Sequence, residues 1–182
     1  MSDIKTILKE IESVLNRLDE GQLEDTAKEL YESKRIFVVG EGRSGLMAKS
    51  FAMRLMHLGA QVYVVGETIT PSIQQDDTLV AVSGSGKTKQ VVWTAEKART
   101  LGCQVIAVTA NPESDLANAA SRVVHVPAAT KYRSQGEAAS IQPLGSLFDQ
   151  CAHLLFDTIC LKYSGLSENG QDQAFARHSN LE

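Results

Sequence analysis

Five short apolar runs recur along the chain, and each is continuous in hydrophobic residues rather than alternating. They cover 36–39, 62–65, 79–82, 105–108 and 123–126. Continuous apolar strands are typical of a parallel sheet that is covered on both faces. Segments with helical character separate most of the runs, at about 44–58, 86–101 and 113–120. This β-α-β alternation predicts an α/β fold with a five-stranded parallel sheet in an α/β/α sandwich.

Helical patterns flank this core at both ends. Apolar residues spaced alternately by four and three predict a helix with one apolar stripe over 3–19, and a second helical stretch covers about 22–33. A helix predicted over 145–163 is apolar on more than one side, so we expect it to pack on the core and on another subunit. We interpret residues 1–182 as one domain, with a helical arm over about 1–34, a core over about 35–163 and a polar tail over about 164–182.

The composition of the chain argues against several classes of function. The chain has 182 residues, 43% hydrophobic, and a formal net charge of −4. This mild acidity argues against a nucleic-acid or membrane-surface partner. No apolar run approaches the length needed to span a bilayer. Three cysteines without metal-ligand spacing favour a reducing compartment, so we expect a cytoplasmic location and no metal centre.

The first glycine-rich loop follows a predicted strand and opens a helix. It covers 40–45, and its residues are GEGRSG. Glycines allow a tight turn, and amides at a helix N-terminus attract anions. The pattern also suits a dinucleotide-binding site, but such a site requires an acidic residue at the end of the second strand. Glu67 lies beyond Gly66, which makes that fit loose.

The second loop follows the third strand and is rich in hydroxyl groups. Its residues, Ser83 to Thr88, are SGSGKT. It resembles a nucleotide-binding P-loop, but Ala81 stands where that motif requires glycine. Hydroxyls, exposed amides and a lysine converging on a helix N-terminus predict a site for one phosphate monoester. The alternative is a Ser/Thr-capped turn that only starts a helix. Two such loops at nearby strand ends favour a ligand site.

Together with the segment VTAN at 108–111, these loops resemble the SIS (sugar isomerase) domains, whose fold is flavodoxin-like. The match is closer to the 6-phospho-3-hexuloisomerase branch, over about 35–182. The segments that carry this closer match are GRSGLMAKSFAMRLMHLG at 42–59, NPES at 111–114, IQPLGSLFDQ at 141–150 and RHSNLE at 177–182. The resemblance implies conversion of D-arabino-3-hexulose 6-phosphate to fructose 6-phosphate through an enediol, without cofactor, beside a hexulose-phosphate synthase.

The resemblance and the loop chemistry together nominate the site residues. We expect the phosphate to be held by the hydroxyls of Ser83, Ser85 and Thr88 and by the amides of Gly84 and Gly86. Ser44 is expected to contact the sugar or its phosphate. Lys87 either adds favourable charge or faces solvent.

Asp149 stands where the family has its proton-accepting glutamate, and it is one methylene shorter. The alternative for Asp149 is a helix-capping pair with Ser146. Glu67 is the reserve base. The resemblance also nominates His178 as a second acid/base, supplied by the same or a neighbouring subunit. It implies that the tail, which contains His178 and Glu182, is ordered and reaches a site.

Further hypotheses remain open at this point. The side chains of Asp149, His153 and Asp157 are spaced by four residues and form either a solvated stripe or a group that orients Asp149. The rival functions are another SIS isomerase acting on arabinose 5-phosphate or sedoheptulose 7-phosphate, a non-catalytic phosphosugar sensor, and a dinucleotide-dependent oxidoreductase. We expect a homo-oligomer, a dimer or a tetramer.

Overall fold

A computed structural model describes residues 2–167 and 170–181. Its strands are β1 Ile36–Gly40, β2 Val62–Val64, β3 Thr78–Val82, β4 Gln104–Thr109 and β5 Arg122–His125. Its helices are α1 Asp3–Leu15, α2 Glu20–Glu32, α3 Gly42–His57, α4 Lys89–Thr100, α5 Asp115–Ala119, α6 Ser146–Ser164 and α7 Gly170–Ala176.

The strands form one parallel sheet in the order β2-β1-β3-β4-β5. The predicted α/β fold is therefore confirmed, with each strand within about a residue of its predicted run. The chain leaves β1 toward β2 on one side and reaches β3 on the other, so the strand order reverses between β1 and β3. In open parallel sheets, ligands bind outside the carboxyl ends of the strands at such a reversal. Both glycine-rich loops lie there.

Successive residues of each strand enter two different apolar cores, one on each face of the sheet. Ile36 and Val38 pack into a core shared with α1, α2, α3 and α6. Phe37 and Val39 point the other way, into a core shared with α4 and α5. Burial of both faces explains why the strand sequences are continuous in apolar residues.

Helix α6 is covered on its second face by α1 and α2 of the same chain, while α3 packs against it as well. The apolar second face of α6 therefore does not require another subunit to cover it, and the expectation drawn from that face is wrong. Periodicity shows that a second face is buried, but the covering segment lies more than a hundred residues away in sequence. The side chains that stay partly exposed on α6 include Leu154 and Leu161.

The N-terminal arm is split by a cap that the apolar pattern did not reveal. The Asp19 side chain accepts hydrogen bonds from the amides of Gly21 and Gln22, at 2.9 and 3.2 Å. This cap starts α2 at Glu20 and separates it from α1, which ends at Leu15. The apolar stripe continues to Leu18 because that side chain still packs on the core.

The aperiodic segment between β5 and α6 is held by specific hydrogen bonds. The Ala138 amide donates to the Pro127 carbonyl at 2.8 Å, and the Glu137 carboxylate accepts from the amide and hydroxyl of Thr130, both at 2.7 Å. Farther along, Glu10 of α1 accepts from the Ser140 hydroxyl and the Ile141 amide, both at 2.7 Å. The segment is thereby fixed as a wall beside the carboxyl end of the sheet.

Helix α7, in the C-terminal tail, packs against α3. Arg177 donates to the carbonyl of His57 at 3.3 Å, at the C-terminal end of α3. Of the helices formed by the described residues, none combines the length and apolar character that a membrane-spanning helix requires.

Candidate active site

Three helices, α3, α4 and α6, begin around one cavity of about 320 Å³ at the carboxyl end of the sheet. Their N-cap residues, Glu41, Thr88 and Gly145, all border this cavity, and none of the three makes a side-chain capping hydrogen bond. The first amides of a helix have no partner within the helix, and the helix dipole places positive charge there. Three uncapped N-termini around one cavity make it a strong site for an anion.

The first loop allows α3 to begin directly against β1. A Cβ atom on Gly45 would lie 2.5 Å from the backbone oxygen of Gly40, so a side chain at position 45 would push the helix away from the strand. This close approach brings Ser44 and Arg43, in the first turn of α3, to the cavity.

The second loop is built around the hydroxyl of Ser83. This hydroxyl shares a hydrogen bond with that of Thr88, at 2.9 Å, and accepts from the Gly86 amide at 3.2 Å. The Gly84 carbonyl in turn accepts from the amide of Ala110, at 2.9 Å, and from the hydroxyl of Thr109 in the VTAN segment, at 3.1 Å. The VTAN segment thus supports the loop from behind rather than lining the cavity.

The nominated phosphate-binding residues divide between the cavity wall and its support. Those that border the cavity are Ser44, Ser83, Gly84, Ser85 and Thr88. Gly86 is buried under the loop and turns the backbone at φ +64°. The Lys87 side chain is exposed and is not part of the cavity wall. The exposed position of Lys87 agrees with one of the two predicted alternatives, in which this side chain faces solvent.

Asp149 is 4% exposed and lies in the first turn of α6, at the cavity. Its carboxylate accepts from the Ser44 hydroxyl at 2.8 Å and from Arg43 Nε at 3.1 Å. The alternative of a capping pair with Ser146 is wrong, because Gly145 is the N-cap and the carboxylate is bonded to α3 instead. A carboxylate buried at the cavity and oriented by two donors is suited to accept a proton from a bound ligand.

Several cavity residues were missed in the sequence. They are Arg43, Thr130, Lys131, Leu144 and Phe148. Arg43 lies inside the GEGRSG loop, and that position was the available signal. Phe148 follows from its neighbour Asp149, since both belong to the first turn of α6. Thr130 and Lys131 belong to the aperiodic wall, whose path depends on the long-range bonds of Glu137 and Glu10.

His178 lies at the opposite end of α3 from the cavity. Its ring stacks on that of His57, with centroids 5.3 Å apart. A helix of 16 residues is about 24 Å long, so Ser44 and His57 stand near opposite ends of that span. Within one chain, His178 and Asp149 are therefore not brought together.

The other nominated acids and bases are also away from this cavity. Glu67 lies in a separate groove beside β2, with Tyr63 and Ile69. His153 and Asp157 pair with each other at 3.6 Å, and both are partly exposed. Glu182 lies outside the described residues. Among residues 2–167 and 170–181, no group of three or more His, Cys, Asp and Glu side chains could hold a metal ion.

Comparison with known proteins gives one consistent picture. The SIS domain family model matches residues 29–154. The chain is 40% identical over 179 residues to a 3-hexulose-6-phosphate isomerase of Bacillus subtilis, with 98% of this chain and 97% of the relative covered. It is 38% identical over 181 residues to another of that name from Mycobacterium gastri, with 100% and 90% covered.

A solved structure shows the same fold across the whole chain. It comes from Methanococcus jannaschii, and a molecular function of 3-hexulose-6-phosphate isomerase was inferred for it. It superposes with a TM-score of 0.86 at 29% identity, with 100% of both chains covered.

Proposed function

The chain belongs to the SIS domain family, and from that premise we propose that it isomerises D-arabino-3-hexulose 6-phosphate to fructose 6-phosphate. Relatives named 3-hexulose-6-phosphate isomerase match it over nearly their whole length. The observation that carries the proposal is the buried carboxylate of Asp149 beside three uncapped helix N-termini. The cavity thus offers both a base and a place for a phosphate.

We assign the phosphate to the second loop. Ser83, Ser85 and Thr88 place hydroxyl groups there, at the uncapped start of α4, and the backbone at Gly84 borders the same space. A phosphate at this point would gain hydrogen bonds and the favourable field of the helix dipole. It would anchor the far end of the sugar and leave the carbonyl end toward Asp149.

The chemistry moves a carbonyl group by one carbon. Asp149 takes the proton from C2, next to the C3 carbonyl, and the C2–H electron pair forms the C2=C3 bond of an enediolate. A proton is then delivered to C3, while the proton of the C2 hydroxyl passes to the C3 oxygen and C2 becomes the new carbonyl carbon. Two proton transfers at carbon and one from the C2 oxygen to the C3 oxygen complete this reaction without net oxidation, so no cofactor is required in the proposal.

The substrate must come from a reaction that joins a one-carbon unit to a ketopentose phosphate. The pathway neighbour we propose is therefore a hexulose-phosphate synthase, which acts on ribulose 5-phosphate and formaldehyde. Three buried cysteines without disulfide bonds are compatible with the reducing, cytoplasmic location that we propose.

We also propose that the protein is a homo-oligomer, a dimer or a tetramer. Support comes from an apolar stripe on α3, where the side chains of Leu46, Met53 and Met56 are 40–59% exposed. His178 can act as a second acid/base only if another subunit brings it to the cavity. Mixing Asp149→Asn chains with His178→Ala chains tests this, because shared sites would regain turnover in the mixed oligomer. Two inactive parents that stay inactive together would argue against a site shared between subunits, and a His178→Ala parent that keeps its turnover would place His178 outside the reaction.

The function is tested by supplying 3-hexulose 6-phosphate, made in place by a synthase, and measuring fructose 6-phosphate through a coupled dehydrogenase. We expect turnover with this substrate to exceed turnover with arabinose 5-phosphate or sedoheptulose 7-phosphate by at least about a hundredfold, because a misfitted substrate loses transition-state contacts. Binding of all three sugars without turnover would instead indicate a phosphosugar sensor.

Substitution of Ser85 tests the phosphate assignment. One hydrogen bond to a charged group contributes about 1.5–3 kcal/mol, so Ser85→Ala is expected to raise KM about tenfold or more. The exposed Ser13 of α1 provides the matched control, and Ser13→Ala should leave KM unchanged. Equal KM values for both variants would move the phosphate away from this loop.

A further inference from the structure

The two side chains of the Arg43–Asp149 ion pair differ strongly in their exposure to solvent. The Asp149 side chain is 6% exposed, whereas that of Arg43 is 64% exposed. Arg43 approaches the carboxylate through Nε, at 3.1 Å. Its terminal nitrogens, Nη1 and Nη2, make no hydrogen bond with any residue between 2 and 167 or between 170 and 181. The N–H groups at the outer end of the Arg43 guanidinium are therefore not used in hydrogen bonds within the described residues.

Several of the other polar side chains around the cavity are engaged with protein groups. The Ser44 hydroxyl donates to Asp149, and the hydroxyls of Ser83 and Thr88 bond to each other. The Thr130 hydroxyl donates to Glu137. The Lys131 ammonium lies 5.0 Å from the centre of the Tyr132 ring. Arg43 thus presents unused N–H donors directly beside the carboxylate that accepts the proton.

The proposed reaction creates a negative charge close to this point. When Asp149 takes the C2 proton, the C2–H electrons form the C2=C3 bond and the C3 carbonyl electrons move to its oxygen. That oxyanion is one carbon away from the atom that the carboxylate touches. A guanidinium group is a rigid fork with five N–H donors, so one arm can bind the carboxylate while the others face the oxyanion.

We propose that Arg43 is a catalytic residue that does two things at once: its Nε holds Asp149, and its terminal N–H groups stabilise the enediolate oxygen. The inference rests on the proposed isomerase function and deepens it. Donors fixed in place before the charge develops need no rearrangement during the reaction, and this makes them effective. A donor of this kind acts on the transition state more than on the bound substrate.

Kinetics of Arg43 variants test the first part. Removing one oxyanion donor costs about 10²–10³ in kcat in comparable sites, so Arg43→Ala should lose at least a hundredfold in kcat with KM within about threefold. Arg43→Lys should recover less than a tenth of the parent kcat, because one ammonium cannot bind both oxygens. Guanidinium ion added to Arg43→Ala should restore part of kcat.

The matched control is Arg54→Ala, which changes an exposed arginine on the same helix, away from the cavity. Its kinetics should equal those of the parent. Circular dichroism melting of each variant excludes unfolding as the cause.

An inhibitor that imitates the enediolate separates charge stabilisation from mere positioning of Asp149. The probe is a hydroxamate of a four-carbon sugar acid that carries a terminal phosphate, in which the nitrogen takes the place of C2 and the carbonyl carbon that of C3. The parent should bind this hydroxamate more tightly than fructose 6-phosphate. Arg43→Ala should lose about a hundredfold in hydroxamate affinity, whereas Asp149→Asn should keep most of it.

The inference is overturned if Arg43→Ala keeps kcat within threefold of the parent, or if it binds the hydroxamate as tightly as the parent does. These results differ from failure of the proposed function, which shows as a parent protein without turnover on 3-hexulose 6-phosphate.

Discussion

Gly86 shows how one residue holds the second loop in place. Its backbone is at φ +64°, a conformation that side chains with a Cβ rarely adopt. A Cβ atom there would overlap both Oγ and Cβ of Ser114, which is itself 2% exposed. The Ser114 hydroxyl caps α5 by accepting from the Ala117 amide at 3.3 Å. A side chain at position 86 would therefore strain the loop and displace a helix cap together.

Gly86→Ala is expected to lower the free energy of unfolding by about 3 kcal/mol, the sum of backbone strain and a lost cap. Gly136→Ala is the matched control, because Gly136 also has a positive φ, +90°, but nothing lies within 4 Å of its Cβ position. The control should lose about 1 kcal/mol from strain alone. Urea unfolding measures both, and equal losses would contradict the proposed overlap.

Among individual residues, the sequence indicates several that border the cavity but not which atoms they present to it. The strand-loop-helix pattern was enough to predict that Ser44, Ser83 and Thr88 lie at the cavity. The bond from Arg43 to Asp149 depends on how α3 and α6 meet. That meeting joins residues about a hundred positions apart, so no local pattern records it.

Among the elements, an ion pair joins the starts of the neighbouring strands β1 and β3. Arg35, just before β1, donates to Asp77, just before β3, through Nε at 2.9 Å and Nη2 at 2.5 Å. The Asp77 carboxylate also accepts from the Gln74 amide at 2.6 Å and has no exposed side-chain surface. Burial raises the pKa of Asp77, but its hydrogen bonds and the Arg35 charge lower it by more, so the pKa lies below its usual value.

Asp77→Asn should lower the free energy of unfolding by about 3 kcal/mol, because it leaves the half-buried Arg35 without its charge partner. The exposed neighbour Asp76 supplies the control, and Asp76→Asn should change stability by less than about 0.5 kcal/mol.

The same pair has a pH signature. A carboxyl whose folded-state pKa is depressed contributes stability above its unfolded pKa and loses it as the pH falls through the folded value. The parent should therefore lose the contribution of Asp77 as the pH falls below about 4. Asp77→Asn should lack this part of the acid dependence. Urea midpoints measured between pH 2 and 7 test this, and parallel curves for the two proteins would contradict it.

The types and the order of the elements were predictable because each buried strand is a continuous run of apolar residues. The sequence did not predict which helices pack against each other. The cover that α1 and α2 place on α6 follows from packing between distant segments, as does the docking of α7 on α3. The predicted end of α1 was too late because the apolar stripe continues to Leu18, and the predicted start of α2 was too late because the Asp19 cap begins that helix at Glu20.

Across the whole molecule, the cysteine thiols are buried in the two apolar cores. The three cysteines are free and buried. Burial raises the pKa of Cys151 and of Cys160 to about 12 each. Because the thiolate is the reactive form, these thiols are protected twice, by lack of access and by lack of charge.

Thiol labelling should therefore report global unfolding. At pH 8 the native protein should react with an aromatic disulfide reagent no faster than it unfolds, and Cys151 and Cys160 should become reactive together in urea. Mass spectrometry of partly labelled protein identifies the sites. Fast labelling of either cysteine without urea would contradict the packing of α6.

The central claim is that the carboxylate of Asp149 is the proton acceptor of a phosphosugar isomerase. The most direct measurement is kcat on 3-hexulose 6-phosphate for the parent, Asp149→Asn and Asp149→Glu. Asparagine keeps the size and hydrogen-bonding groups but cannot accept the proton, so kcat should fall at least about a thousandfold. Glutamate restores a carboxylate and should exceed the asparagine variant by tenfold or more. An asparagine variant that retains a tenth of the parent kcat would contradict the claim and place the base elsewhere.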